Sequence, residues 1–168
     1  MTKRGRRATI LVFTAACVIS AHAMAAGGAE KQTVQENHRE QVMRIASSWV
    51  PALLSGSVER NLAFYTDDVV LAGGRIQEVC VGRAQVEKLL TQLLGDTSPT
   101  HCSIKVQGID ITGDWAELRA TFKAVWKPKK ETVKLERESS NYIWLLRRQT
   151  DDSWKIARFL WYPNDRKE

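Results

Sequence analysis

Apolar residues return every three to four positions at Val34, Val42, Ile45, Ala46, Trp49, Ala52 and Leu53, a spacing that predicts an amphipathic helix over 33–55. Pro51 falls late in it and kinks or ends it. Ser57 is placed as the N-cap of a short helix, about 57–66, carrying Leu62, Ala63 and Tyr65. A strand is predicted at 69–72, a turn at Gly73-Gly74, and a short strand at 75–80 leading to Gly82. Val86, Leu89, Leu90, Leu93 and Leu94 share one side of a third helix, 83–94, with Gly95 as its stop.

Beyond Gly95 the period falls to two. Ile104, Val106 and Ile109 begin one strand, and Gly113-Asp114 turns into the next. Between 116 and 126, Ala116, Leu118, Ala120, Phe122, Ala124 and Trp126 alternate with polar residues, which describes a strand with one buried face. The mixed charges of 127–138, with Pro128, predict a solvated hairpin end. Two last strands, about 139–149 and 153–162, flank a turn at Thr150-Asp151-Asp152-Ser153. Helices first and strands last give an α+β class, with helices packed against one curved antiparallel sheet.

Composition changes the picture mainly at the N-terminus. Residues 1–25 carry four basic residues, an apolar run and the small-residue ending Ala23-Met24-Ala25, the order expected of a cleaved signal peptide. A periplasmic or secreted protein is therefore expected, with 26–34 a flexible lead-in, 35–162 the folded domain and 163–168 a short polar tail. Without Lys3, Arg4, Arg6 and Arg7, the Lys+Arg count falls from 25 to 21 against 19 acidic residues, and net charge from +6 to +2. A nearly neutral domain argues against nucleic acid as partner, and no membrane association is expected after cleavage. Cys80 and Cys102 remain, beside predicted strand ends and bound for an oxidising compartment. A disulfide between them and two buried free thiols are both open.

The stretches SWVPALLSGSVERNLAFYTDDVVLAGG, Gly82-Arg83 opening a helix, GDWAELRATF and DSWKIARFLWYP together resemble the SnoaL-like members of the nuclear transport factor 2-like superfamily, over about 35–162. That resemblance implies a sheet wrapped round a long helix to form a conical, apolar pocket, and commonly a homodimer. It does not name a reaction, because the superfamily spans isomerases, dehydratases, hydrolases, cyclases and inert association domains. For the ketosteroid isomerase branch it implies a carboxylate base and two oxyanion donors. Their matching positions here hold Gly73, Trp49 and Trp144, so none of the three roles is filled as in that branch.

Trp49 and Trp144 each bring an indole N–H donor, and core filling competes with ligand contact as their purpose. The pocket lining expected is Trp49, Leu53, Tyr65, Leu118, Phe122, Tyr142, Trp144, Phe159 and Trp161, suited to a small apolar or aromatic molecule. Asp67 and Asp68 stand at a helix-to-strand junction, where a structural role outweighs general acid–base work; Asp68 is the one expected to face the pocket and the weak catalytic candidate. His38 and His101 lack partners at metal-ligand spacing, so no metal is expected, and no cofactor. Two functions follow: an exported small-molecule-binding domain, with any catalysis isomerase-, dehydratase- or hydrolase-like, and, from another class, a non-catalytic periplasmic interaction domain using its outer sheet face and the 127–138 hairpin.

Overall fold

The computed structural model describes residues 19–74, 78–129 and 136–164, with side chains from residue 33 and, in the last stretch, from residue 137. The chain divides into two compact units, Met1–Glu36 and Asn37–Glu168. In the described residues the elements run α1 (Ile19–Leu54), α2 (Val58–Leu62), β1 (Tyr65–Gly73), β2 (Cys80–Val81), α3 (Arg83–Asp96), β3 (Thr97–Thr112), β4 (Trp115–Pro128), β5 (Glu136–Arg148) and β6 (Trp154–Pro163). The α+β class holds.

The stretch 26–34, expected as a flexible lead-in, is helical backbone within α1. Its Ala, Glu, Lys and Gln content favours helix, which lets the element extend N-terminal to the predicted start. Residues 1–18, and with them most of the expected signal peptide, lie outside the described residues.

In the second unit, Val42, Ala46, Trp49 and Leu53 form one buried stripe of α1, spaced by three and four. Arg39 extends the contact by donating to the Ile109 carbonyl at 2.8 Å. Ser57 caps α2 as expected, accepting from the Arg60 amide. Beside it the buried amide of Asn61 donates to the Ala52 and Ser57 carbonyls, tying α2 to the end of α1. The helix predicted to stop at Gly95 runs to Asp96. There Lys129 donates its ammonium to the Leu94 carbonyl and its amide to the Asp96 carbonyl, neutralising the helix's negative end. Lys129 is thus committed to the fold, while residues 130–135 of the expected hairpin end lie outside the described residues.

The six strands form one sheet in the order β2-β1-β6-β5-β4-β3. All neighbours are antiparallel except β1 and β6, which run parallel, so the sheet is mixed. The parallel pair arises because β1 comes early, before α3, and β6 returns beside it at the end of the chain.

That strand order separates the two cysteines. Cys80 lies on β2 and Cys102 on β3, the two edges of the sheet, and both are free thiols, so of the two alternatives left open the disulfide is the one the structure does not have. Measured along the sheet, the edges are about 24 Å apart at ~4.8 Å per strand, whereas a disulfide needs Cα atoms within about 7 Å. Burial, and then the nearby Glu138 charge, push the Cys102 thiol up to about 11. Cys80 and Cys102 are therefore both expected to be alkylatable in the unreduced protein. At mildly alkaline pH Cys102 should react on the order of a hundred-fold more slowly than an ordinary thiol. Peptide mass mapping after timed iodoacetamide labelling checks both, and a recovered Cys80–Cys102 cross-linked peptide would overturn the assignment.

Candidate functional site

The alternation read from the sequence puts Leu118, Ala120, Phe122, Ala124 and Trp126 of β4 on the buried face of the sheet. The β4–β5 register places Tyr142 opposite Ala120 and Trp144 opposite Leu118, and the β5–β6 register sets Phe159 opposite Trp144. Trp49, projecting from the buried stripe of α1, meets this surface edge-on. Its ring lies 5.4 Å from Phe122, 6.0 Å from Tyr142, 5.4 Å from Trp144 and 6.2 Å from Phe159, all T-shaped. Phe122 and Tyr142 stack at 4.9 Å. Such pairings contribute about 0.5–1.5 kcal/mol each beyond area burial.

The structure thus brings together Trp49, Tyr65, Phe122, Tyr142, Trp144 and Phe159, with Leu53 and Leu118 in the same core. It packs them closely. Trp144, Phe122 and Leu118 are 0% exposed, so no water-sized void touches them. Trp161 is half-buried at the margin, tilted against Phe159 at 5.1 Å.

The polar atoms among these rings are unevenly served. Trp49 Nε1 donates to the Tyr65 hydroxyl at 3.4 Å, and burial pushes the Tyr65 phenol up to about 12. Trp144 Nε1, by contrast, is buried with no acceptor. An indole N–H left without a partner costs about 1–3 kcal/mol.

At the far end of the same face stands a carboxylate that the sequence reading assigned to a solvated hairpin end. Glu138 is the inward residue of β5 preceding Ser140, Tyr142 and Trp144. One of its oxygens accepts from Trp126 Nε1 at 3.0 Å and the other from the Tyr142 hydroxyl at 3.2 Å. Burial, with Glu138 second, raises the Tyr142 pKa and keeps its phenol protonated and donating. The signal was present: period-two alternation from Trp144 backwards reaches Glu138, the last residue of the charged run and one before the predicted start of the strand at 139.

Two positions weighed for proton transfer are closed by geometry. Gly73 has φ +122, a conformation open mainly to glycine, and a Cβ there would overlap the Trp161 carbonyl oxygen of the paired strand. No carboxylate can be carried at that point without displacing β6. Asp68 does not face the interior, correcting that expectation. The β1–β6 register shifts between Tyr65 and Val70, and across the irregularity Asp67 and Asp68 both turn to solvent while Tyr65 and Val69 stay buried. Each has an arginine: Asp67 pairs with Arg83 at 3.7 Å, and Asp68 takes a two-pronged contact from Arg147 at 2.7 and 3.0 Å. Among the described residues no group of three or more His, Cys, Asp or Glu is placed to hold a metal ion. Nor is any described helix long and apolar enough to cross a membrane.

Residues 35–159 match the family model of the SnoaL-like domain. No match was found among the curated proteins. Among solved structures, a ketosteroid isomerase-like protein from Erwinia carotovora atroseptica is similar at TM-score 0.65 and 20% identity, over 73% of this chain and 93% of that one. A protein from Novosphingobium aromaticivorans, provisionally described as a scytalone dehydratase, is similar at TM-score 0.66 and 19% identity, over 82% and 99%. A conserved protein from Planctomyces limnophilus reaches TM-score 0.67 at 17% identity, over 76% and 98%. At these identities the likeness shows the fold alone.

The Arg147 guanidinium beside Asp68 holds its carboxyl at about 2. Because the folded value lies below the unfolded one, the stabilisation is present above about pH 4 and is lost as pH falls towards 2. With both groups largely solvated it amounts to no more than about 1 kcal/mol. Carboxyl-carbon NMR titration should find Asp68 at about 2 in the wild type and near the ordinary ~4 in Arg147→Ala. An ordinary value in the wild type would refute the pairing.

Proposed function

The chain belongs to the SnoaL-like domain family, and on that footing we propose that it is an exported binding domain for a small apolar or aromatic molecule bearing a hydrogen-bond acceptor. The observation that carries this is the unpartnered Trp144 N–H on a ring packed against three other aromatic side chains, Trp49, Tyr142 and Phe159. A ring inserted beside Phe159, with its carbonyl or ether oxygen on Trp144 Nε1, would satisfy the ring N–H that the packing leaves without a bond. Entry falls to Trp161, the half-buried ring over Phe159. Isomerase chemistry of the ketosteroid kind is not part of the proposal, since Gly73 bears no base and Asp68 is turned outward. Export rests on the N-terminal composition, and a homodimer on the exposed Leu160 and Tyr162 of the outer face.

A second reading, a non-catalytic interaction domain, is favoured by the closeness of the interior packing around Trp144, Phe122 and Leu118. The two readings separate in one experiment. Tryptophan fluorescence is followed while aromatic ketones, lactones and phenols are titrated against wild type, Trp161→Ala and Trp144→Phe. Ligand binding predicts saturable quenching in the wild type and at least tenfold weaker affinity in Trp144→Phe. The same substitution should leave urea stability unchanged or raise it by about 1 kcal/mol, because it removes an unsatisfied donor. No saturable response in the wild type, or an affinity untouched by both substitutions, rejects the pocket and leaves the interaction domain.

A further inference from the structure

We propose that the outer face of the sheet carries a second site, separate from the aromatic interior, that takes a small organic oxyanion. A cavity of about 800 Å³ lies over the ends of β3, β4 and β5, within the range of small-molecule sites. Three rows of paired residues cross it: His101, Val125 and Arg137; then Cys102, Ala124 and Glu138; then Ser103, Lys123 and Ser139. The middle row points inward, since Ala124 is buried and Glu138 accepts from Trp126 and Tyr142. By alternation the two flanking rows point out. The cavity therefore sits on the outer face, and the inner-face neighbours Trp126, Ser140 and Tyr142 do not line it.

The charges that point outward into it are cationic, Glu138 being turned to the inner face by Trp126 and Tyr142. Lys123 lies directly between Ser103 and Ser139, whose side chains are about 5 Å away across each strand pair, with Arg137 on the diagonal at roughly 7 Å. One bound oxyanion can reach both cations and a hydroxyl. Among the described residues, Lys123, Arg137, Ser103 and Ser139 make no side-chain hydrogen bond or ion pair. On the outer face of β4 the first carboxylate met from Lys127 is Glu117, ten residues away and already paired with Arg119. At the other end of this face Arg119 and Arg147 are instead neutralised by Asp110 and Asp68. Arg119 and Arg147 are tied to acids, whereas Lys123 and Arg137, like Lys105 and Lys127 on the same face, carry no ion pair among the described residues; what sets Lys123 and Arg137 apart is that both line the cavity. Val125, half-buried between His101 and Arg137, supplies an apolar surface for the ligand's body. The occupant that fits is a carboxylate or phosphate monoester on a small apolar group.

The test is a two-dimensional amide NMR titration of the full chain with benzoate, phenyl phosphate and inorganic phosphate at fixed ionic strength, on wild type, Lys123→Ala, Arg137→Ala and the control Lys88→Ala. Saturable shifts confined to residues around 101–103, 123–125 and 137–139 are expected. Affinity should fall at least fivefold in Lys123→Ala and in Arg137→Ala and stay unchanged in Lys88→Ala. Preference for phenyl phosphate over benzoate would identify a phosphate ligand and the reverse a carboxylate. Either organic anion should exceed inorganic phosphate. Shifts that fail to saturate, that spread over the surface, or that persist equally in both variants would overturn the proposal. Loss of the aromatic-interior binding would not affect this result, because Trp144→Phe leaves the outer face intact.

Discussion

Trp49 reaches from α1 into the inner face of the sheet and meets rings from β4, β5 and β6 in one place. A large, flat side chain edge-on to four others fixes both the depth and the rotation of the helix, because any shift loses several T-shaped contacts together. Leu53, Ala46 and Val42 extend the seam along the helix, and Arg39 ties it to Ile109. The interior that results is filled by its own rings. The N–H of Trp144 is enclosed in it without an acceptor, while that of Trp49 reaches Tyr65.

Charge has been sorted outward by the same packing. A parallel pairing of β1 with β6 that slips between Tyr65 and Val70 lets Val69 and Tyr65 point in while two consecutive aspartates point out. Each aspartate is then met by an arginine from a different element, Arg83 on α3 and Arg147 on β5. The close approach of β6 also makes position 73 a glycine, since the Trp161 carbonyl occupies the space that a side chain would need. What reads as missing chemistry in the sequence is a consequence of how tightly two strands lie together.

Glu138 divides the two faces of β5 at its start. Inward, its carboxylate is spanned by Trp126 and Tyr142. One residue on either side, Arg137 and Ser139 turn to the opposite surface, where Lys123 lies across from Ser139. Alternation at period two therefore sets an aromatic, nearly uncharged interior back to back with a cationic groove, a single strand thick.

Much of this was legible in the chain. Period-two alternation from Ala116 to Trp126 fixed which residues line the interior, helical spacing fixed the stripe bearing Trp49, and Ser57 marked the start of α2. These depend on local periodicity, which sequence carries directly. The quoted motifs resemble the SnoaL-like family, and that resemblance implied the fold that the family match bears out. Tertiary structure alone decided the rest. Strand order put Cys80 and Cys102 on opposite edges, a register slip turned Asp68 outward, and the neighbouring strand's carbonyl excluded a side chain at Gly73. It also set Lys123 between Ser103 and Ser139. Each depends on which segments lie side by side after the chain folds back, and residues tens of positions apart leave no local pattern from which that pairing can be read.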